Sequence, residues 1–186
     1  MTRSDVRDYL MARFEEILGN TKIEYVKWDM NRSICDMYSH IYKGEQSGEC
    51  YHAIYLAFMI CWSVLYSVSL RFCLRAAAAV AGRFDAGMLY YSPQIGAVDN
   101  TDAMNRLDIQ YGTSFFYPIS SVGAHVSACP NHQTGRSVPL STRADVALAG
   151  SFGYELDLRL LSDEEKAQVK EQIKEFHDYY DLTHEG

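Results

Sequence analysis

Two short stretches, "KWDMNR" at 27–32 and "VDNTD" at 98–102, each follow a β-rich run with carboxylates. Carboxyl groups from separate strands that meet in one pocket are the equipment of general acid–base and nucleophilic catalysis. In a parallel α/β barrel the C-terminal strand ends converge on one face, so Asp29 and Asp99 can meet there although they lie far apart in the chain. Spacing alone leaves a second reading open, because an Asp at a strand end also serves as a helix cap or a turn residue.

The elements that would carry these groups alternate. From Ser4 onward Val6, Tyr9, Leu10, Phe14, Ile17 and Leu18 recur at helical spacing, with Ser4 as N-cap and "GN" at 19–20 as the stop. "IEYVKWD" (23–29) reads as a strand. "MLYYSPQIGAVD" (88–99) predicts a strand ending in carboxylates, and "TDAMNRLDIQY" (101–111) a helix capped by Thr101. "YPISSVGAHVSA" (117–128) predicts a strand, "PLSTRADVALAG" (139–150) a helix and "FGYELD" (152–157) a strand, and "SDEE" from Ser162 forms a capping box for a last helix. Repeated strand–helix units with polar strand ends predict an α/β fold, and more narrowly part of a parallel barrel.

The chain has 186 residues, of which 22% are charged, and a formal net charge of -7. An acidic chain with scattered Lys and Arg lacks the electrostatic footprint of phosphate binding, so nucleic acid is excluded as a partner and neutral ligands such as sugars fit better. Its five cysteines, Cys35, Cys50, Cys61, Cys73 and Cys129, show no paired spacing, which indicates neither a disulfide framework nor a metal site. A reducing compartment follows, and the cytoplasm in particular, since "MTRSDVRDYL" carries no apolar core of a secretory signal.

"IEYVKWDMNRSICDMYS", "GRFDAGMLYYSPQI", "DNTDAMNRLDIQYGTS", "YPISSVGAHVSACPNHQTGR" and "GSFGYELDL" resemble consecutive blocks of the α-galactosidases of glycoside hydrolase family 36. The resemblance covers nearly the whole chain except about 53–82. It implies the C-terminal half of a (β/α)8 TIM barrel, with 1–186 a partial catalytic domain from which the family's N-terminal β-sandwich, first barrel strands and C-terminal β domain are absent. The implied function is retaining hydrolysis of terminal α-linked galactose from galactosides such as melibiose and raffinose. Asp29 falls on the family's nucleophile and Asp99 on its acid/base. Lys27 and Asn31 fall on positions that contact the galactose hydroxyls. No metal and no cofactor is implied. The partners are α-galactoside oligosaccharides, with no specific membrane partner, and the intact family member would be a homo-oligomer.

A retaining glycosidase holds its two carboxyl groups about 5–5.5 Å apart, one attacking the anomeric carbon while the other protonates the departing oxygen and then activates water. Lys27, two residues before Asp29 and so on the same side of a strand, favours the ionised nucleophile, whereas a less solvated Asp99 would hold its proton. Asp102 reads as a first-turn helix carboxylate, His125 as a pocket-wall or structural residue, and His132 in "PNHQTGR" as a loop residue.

The resemblance lapses where composition changes. From Ala53 to Gly82 the only charged residues are Arg71 and Arg75, and 53–70 has none, long enough for a membrane span. Yet family members run from a YH pair to the RFD block through a helix and a strand ending in ESCSGGGG, over the same number of residues as separate His52 from Arg83 here. Codons can be chosen for His52 to Gly82 that spell this chain in one frame. One C restored after the first codon then yields RYILGVYDMLER, LVQRFPQVLFESC and SGGGG without a stop. The segment is therefore read as a reading-frame shift that is later restored. It replaces the family's pocket Cys by Ala77 and a Gly by Val80, and Gly96 stands where the family has a Trp. Half a barrel also leaves two open sheet edges, so this polypeptide by itself is expected to fold poorly and show little activity. The alternatives are a non-enzymatic membrane-anchored protein with a span at 53–70, and a galactosyl-transferring relative of the same family.

Overall fold

The computed structural model describes residues 3–29, 40, 42, 44–68, 73–77 and 84–184. They divide into two compact units, Met1–Pro93 and Gln94–Gly186.

In the first unit α1 (Ser4–Gly19), β1 (Tyr25–Asp29), a 3-10 turn (Gly44–Gly48), α2 (Glu49–Val68), β2 (Cys73–Ala77) and α3 (Ala86–Tyr91) follow in order. Arg3, not Ser4, is the N-cap of α1 and makes no side-chain cap hydrogen bond. At the other end Asn20 Nδ2 and Thr21 Oγ1 donate to the carbonyls of Glu16 and Ile17, closing the orphan acceptors of the last turn. Along β1 burial alternates, with Tyr25, Lys27 and Asp29 exposed and Val26 and Trp28 half-buried. Trp28 packs on Phe14 at 4.9 Å and on Phe58 and Trp62 at 6.2 Å each, which joins α1, β1 and α2 in one aromatic cluster.

The apolar stretch up to Val68 forms most of α2, and β2 then pairs in parallel with β1. Cys50, Ala57, Cys61, Trp62 and Leu65 form the buried stripe of α2, while Tyr51, Leu56 and Ile60 are exposed. Among the described residues no helix is long and apolar enough to cross a membrane, and residues 69 and 70 of the alternative span at 53–70 lie outside them.

The second unit runs β3 (Gln94–Gly96), α4 (Ala103–Ser114), a 3-10 turn (Ile119–Ser121), β4 (Val126–Ser127), α5 (Leu140–Leu148), β5 (Tyr154–Glu155), a 3-10 turn (Leu158–Leu160) and α6 (Asp163–His184). Ile95 bridges Val122, Gly123 bridges Ser151, and β4 pairs with β5, all in parallel. Each of the three extended segments is followed by a helix, the connectivity of a parallel α/β fold. Ala124, Val126, Leu140, Ala144, Ala147 and Val169 form the core, with Phe152, Tyr154, Leu156 and Leu161 packed against it. Gly150 sits where a Cβ would stand 2.5 Å from the Val122 carbonyl oxygen, so the chain leaving α5 approaches the extended segment as only glycine permits.

The strand expected at 88–99 is divided. Asp85 accepts from Met88 N at 2.9 Å and caps α3, and only Gln94–Gly96 is extended. The strands expected at 117–128 and 152–157 are likewise shortened to two-residue ladders with flanking bridges. The capping box of α6 is present as expected, with Ser162 N donating to Glu165 Oε2 and Glu165 N to Ser162 Oγ.

Candidate functional site

Asp29 is the last residue of β1, and Lys27 shares its exposed side, as a two-residue strand period requires. Register places Ala77, the last residue of β2, directly opposite Asp29. Asn31 lies outside the described residues, as does Val80. Asp99 belongs to the other unit, in the loop between β3 and α4, and is exposed rather than sheltered from solvent. A Cβ added at Gly96 meets nothing within 4 Å, so that end of β3 has room for a side chain.

The loop carrying Asp99 is held by buried polar groups. Arg106, the fourth residue of α4 and 5% exposed, donates from Nε to Asn100 O at 2.6 Å and from its two terminal nitrogens to Gly123 O at 3.0 Å and Val98 O at 3.5 Å. Asp102, 1% exposed, caps α4. Its Oδ1 accepts from Met104 N, Asn105 N and the Arg136 guanidinium at 2.9, 3.2 and 2.8 Å, and its Oδ2 accepts from Thr134 Oγ1 at 2.5 Å. The Thr134 hydroxyl, the two helix amides and the Arg136 charge hold its carboxyl below the usual carboxylate range, against the opposing effect of burial. Asp102, not Thr101, is therefore the cap. Thr101 instead takes Asn131 Nδ2 on its hydroxyl, donates its amide to Gln133 Oε1, and accepts Ser127 Oγ on its carbonyl.

These bonds lace the 98–102 loop to the 131–136 loop. Asn131 closes the second loop by accepting from the amides of Gln133 and Thr134. Arg143, the fourth residue of α5, repeats the role of Arg106 by donating to Val138 O at 3.0 Å and Ser127 O at 2.5 Å. Helices α4 and α5 thus each send a guanidinium to carbonyls at the ends of neighbouring strands. Sequence reading missed both arginines, although Arg106 stands four residues after Asp102 and so on the same inward face.

His125 is largely buried with Nε2 3.1 Å from Glu155 Oε2, a structural placement, and His132 lies exposed in its loop. Among the described residues no cluster of His, Cys, Asp or Glu could hold a metal ion. An open groove lined by Leu107, Tyr111, Ile119, Val146 and Ala149 lies between α4 and α5 and is mainly apolar.

Comparison with known proteins places this geometry. The Melibiase family model matches residues 1–186. The bifunctional alpha-galactosidase/sucrose kinase AgaSK of Mediterraneibacter gnavus is 52% identical over 185 residues, all of this chain and 19% of that protein. Alpha-galactosidase Mel36A of Lactobacillus acidophilus is 45% identical over 184 residues, 99% of this chain and 25% of that protein. The chain therefore spans about a fifth to a quarter of the curated relatives it matches. Among solved structures, the galactosidase domain of AgaSK superposes with a TM-score of 0.86 at 50% identity, over 100% of this chain and 25% of that one. A variant of alpha-galactosidase AgaA from Geobacillus stearothermophilus in complex with raffinose superposes with a TM-score of 0.88 at 43% identity, over 96% of this chain and 25% of that one.

Proposed function

We propose that this chain, which belongs to the Melibiase family, supplies the catalytic carboxylates of a retaining α-galactosidase, within the C-terminal half of a (β/α)8 barrel, acting in the cytoplasm on terminal α-galactosides such as melibiose and raffinose. The observation that carries the reading is the family match across the whole chain, in which the "KWDMNR" and "DNTD" blocks stand in order. The solved AgaA complex with raffinose supports the substrate class.

In the first step the Asp29 carboxylate bonds to the anomeric carbon as the bond to the glycosidic oxygen breaks, and the Asp99 carboxyl gives that oxygen its proton. In the second, Asp99, now ionised, takes a proton from water while the water oxygen displaces Asp29 and galactose leaves. Lys27, on the exposed side of β1 with Asp29, contacts sugar hydroxyls, together with Asn31. Conversion of Asp29 to Asn should abolish release of galactose from aryl α-galactosides in the protein at full natural length. Unchanged turnover would overturn the assignment.

Residues 53–82 are the neighbouring-frame reading of the family block, and they lower the activity of the chain as it stands. Three placements support this. Trp62 is fully buried with its indole N–H unpartnered among the described residues, where the restored frame has Leu. Ile60 is 50% exposed, where the restored frame has Asp. The register sets Lys27 opposite Arg75, two cationic residue types, where the restored frame has Glu. The same frame puts Cys at position 77, opposite Asp29. Sequencing the gene across codons 50–100 decides the matter, because an uninterrupted ancestral frame would refute it.

A further inference from the structure

The geometry points to Arg106 as the positioning residue of Asp99. The inference rests on the reading of Asp99 as acid/base and adds to it the group that aims the carboxyl. The carbonyls on either side of Asp99, those of Val98 and Asn100, both face the Arg106 guanidinium, at 3.5 and 2.6 Å. Its third contact, Gly123 O at 3.0 Å, belongs to a residue whose own amide donates to Ile95 O in β3 at 2.8 Å. The circuit is closed: β3 is tied to Gly123, Gly123 to Arg106, and Arg106 to the peptides that flank Asp99. A planar guanidinium can span several acceptors at fixed angles, whereas a lysine ammonium offers a point charge. Asp99 is exposed, so its orientation depends on its backbone rather than on packing around its carboxyl. A displacement of about 1 Å at such a group costs on the order of a hundredfold in rate.

A residue that only supports the fold and one that aims a proton donor separate by leaving group. Proton donation by Asp99 to the glycosidic oxygen matters when the departing alcohol is a weak acid, and little when it departs readily as an anion. The test measures kcat/KM for methyl and for 2,4-dinitrophenyl α-galactoside, on the protein at full natural length with and without the restored 53–82 block. Arg106→Lys should lose at least about tenfold on the methyl galactoside and under about threefold on the dinitrophenyl one, with the alkaline limb of its pH profile displaced. Arg106→Gln should follow the same pattern. Equal losses on both substrates, no loss on either, or failure of both variants to fold would overturn the positioning role. Asp99→Asn is the reference: if it, too, fails to distinguish the two substrates, Asp99 is not the acid and the underlying reading fails instead.

Discussion

Helices α4 and α5 of the second compact unit and α2 of the first treat buried polar groups differently. In the second, Arg106, Asp102, Gln110, Asn131 and Arg143 are each less than a tenth exposed, and each has partners for its buried charge or amide. In the first, the fully buried Trp62 has an indole N–H without a partner among the described residues, and apolar Leu56 and Ile60 are exposed on the same helix. Burying a Trp removes about 200 Å² from water and contributes about 5 kcal/mol, whereas an unsatisfied N–H costs about 1–3 kcal/mol, so the helix still packs. Hydrophobic amount alone is enough to build α2. Polar satisfaction is what distinguishes a segment whose residue types were matched to their places, and that agreement is present around α4 and α5 and missing at Trp62 on α2.

The contrast is most exposed to challenge at Gly150. A Cβ there meets a backbone oxygen at 2.5 Å and Ala124 Cβ at 3.0 Å, and neither can swing away as a flexible side-chain tip would. Gly150→Ala should destabilise the second unit by about 3 kcal/mol in denaturant titration, the upper part of the overpacking range. Gly96→Ala, with open space around its Cβ, should change little. A mild Gly150→Ala would mean that the second unit is packed more loosely than the contrast requires.

Asp102 tests the polar side of the same unit. Asp102→Ala removes the cap of α4 and leaves Thr134 and Arg136 without their acceptor, a loss of about 2–3 kcal/mol. The pH dependence has a definite sign. The folded carboxyl titrates below its unfolded value, so its contribution is complete above the ordinary Asp range near about pH 4 and disappears as pH falls through the lower folded pKa. Asp102→Asn, which preserves a capping oxygen, should flatten the acid limb of a stability–pH curve relative to the parent. An unchanged limb would place the acid sensitivity elsewhere.

A paired substitution then sharpens the comparison by its sign. Gln110→Leu deprives Val146 O of its donor and should cost about 1–2 kcal/mol. Trp62→Phe removes the orphan N–H while keeping an aromatic ring against Trp28, and should be neutral or stabilise by up to about 1 kcal/mol. Thermal unfolding of both variants checks this. If both lose stability equally, the two units satisfy their polar groups alike and the distinction drawn above fails.

How much of this was readable beforehand follows from the range of the interactions. The strand "IEYVKWD" (23–29), the capping box at Ser162 and the helix at 101–111 depend on neighbours within a few residues, and each is present, the strand as Tyr25–Asp29 and the helix as Ala103–Ser114. The order of the family's sequence blocks was likewise legible as a resemblance. The inward face of α4 was not. Its period is helical, but Met104, Leu107 and Tyr111 are exposed while Arg106 and Gln110 are buried, the reverse of ordinary amphipathic logic. Only the carbonyls of Asn100, Gly123 and Val146, brought there by tertiary structure, explain the inversion. The one-residue error at the α4 cap has the same origin, because Thr101 is occupied by Asn131 and Gln133 from a loop some thirty residues away.

The smallest expected effect lies at Tyr154, on β5. Its hydroxyl donates to Gln172 Oε1 of α6 at 2.8 Å, and burial pushes its pKa up to about 12. A raised folded value means that the folded state keeps the proton longer than the unfolded chain, which releases it near about pH 10. Stability from this group is therefore complete below about pH 10 and declines as pH rises toward about 12. Tyr154→Phe retains the ring against Phe152 and should lose at most about 1 kcal/mol at neutral pH, the net worth of one hydrogen bond. Between those two pH values the variant should lose stability less steeply than the parent, so that the two curves converge. Parallel curves throughout the alkaline range would show that the phenol is hydrated in the folded unit, and that its polar satisfaction comes from solvent rather than from α6.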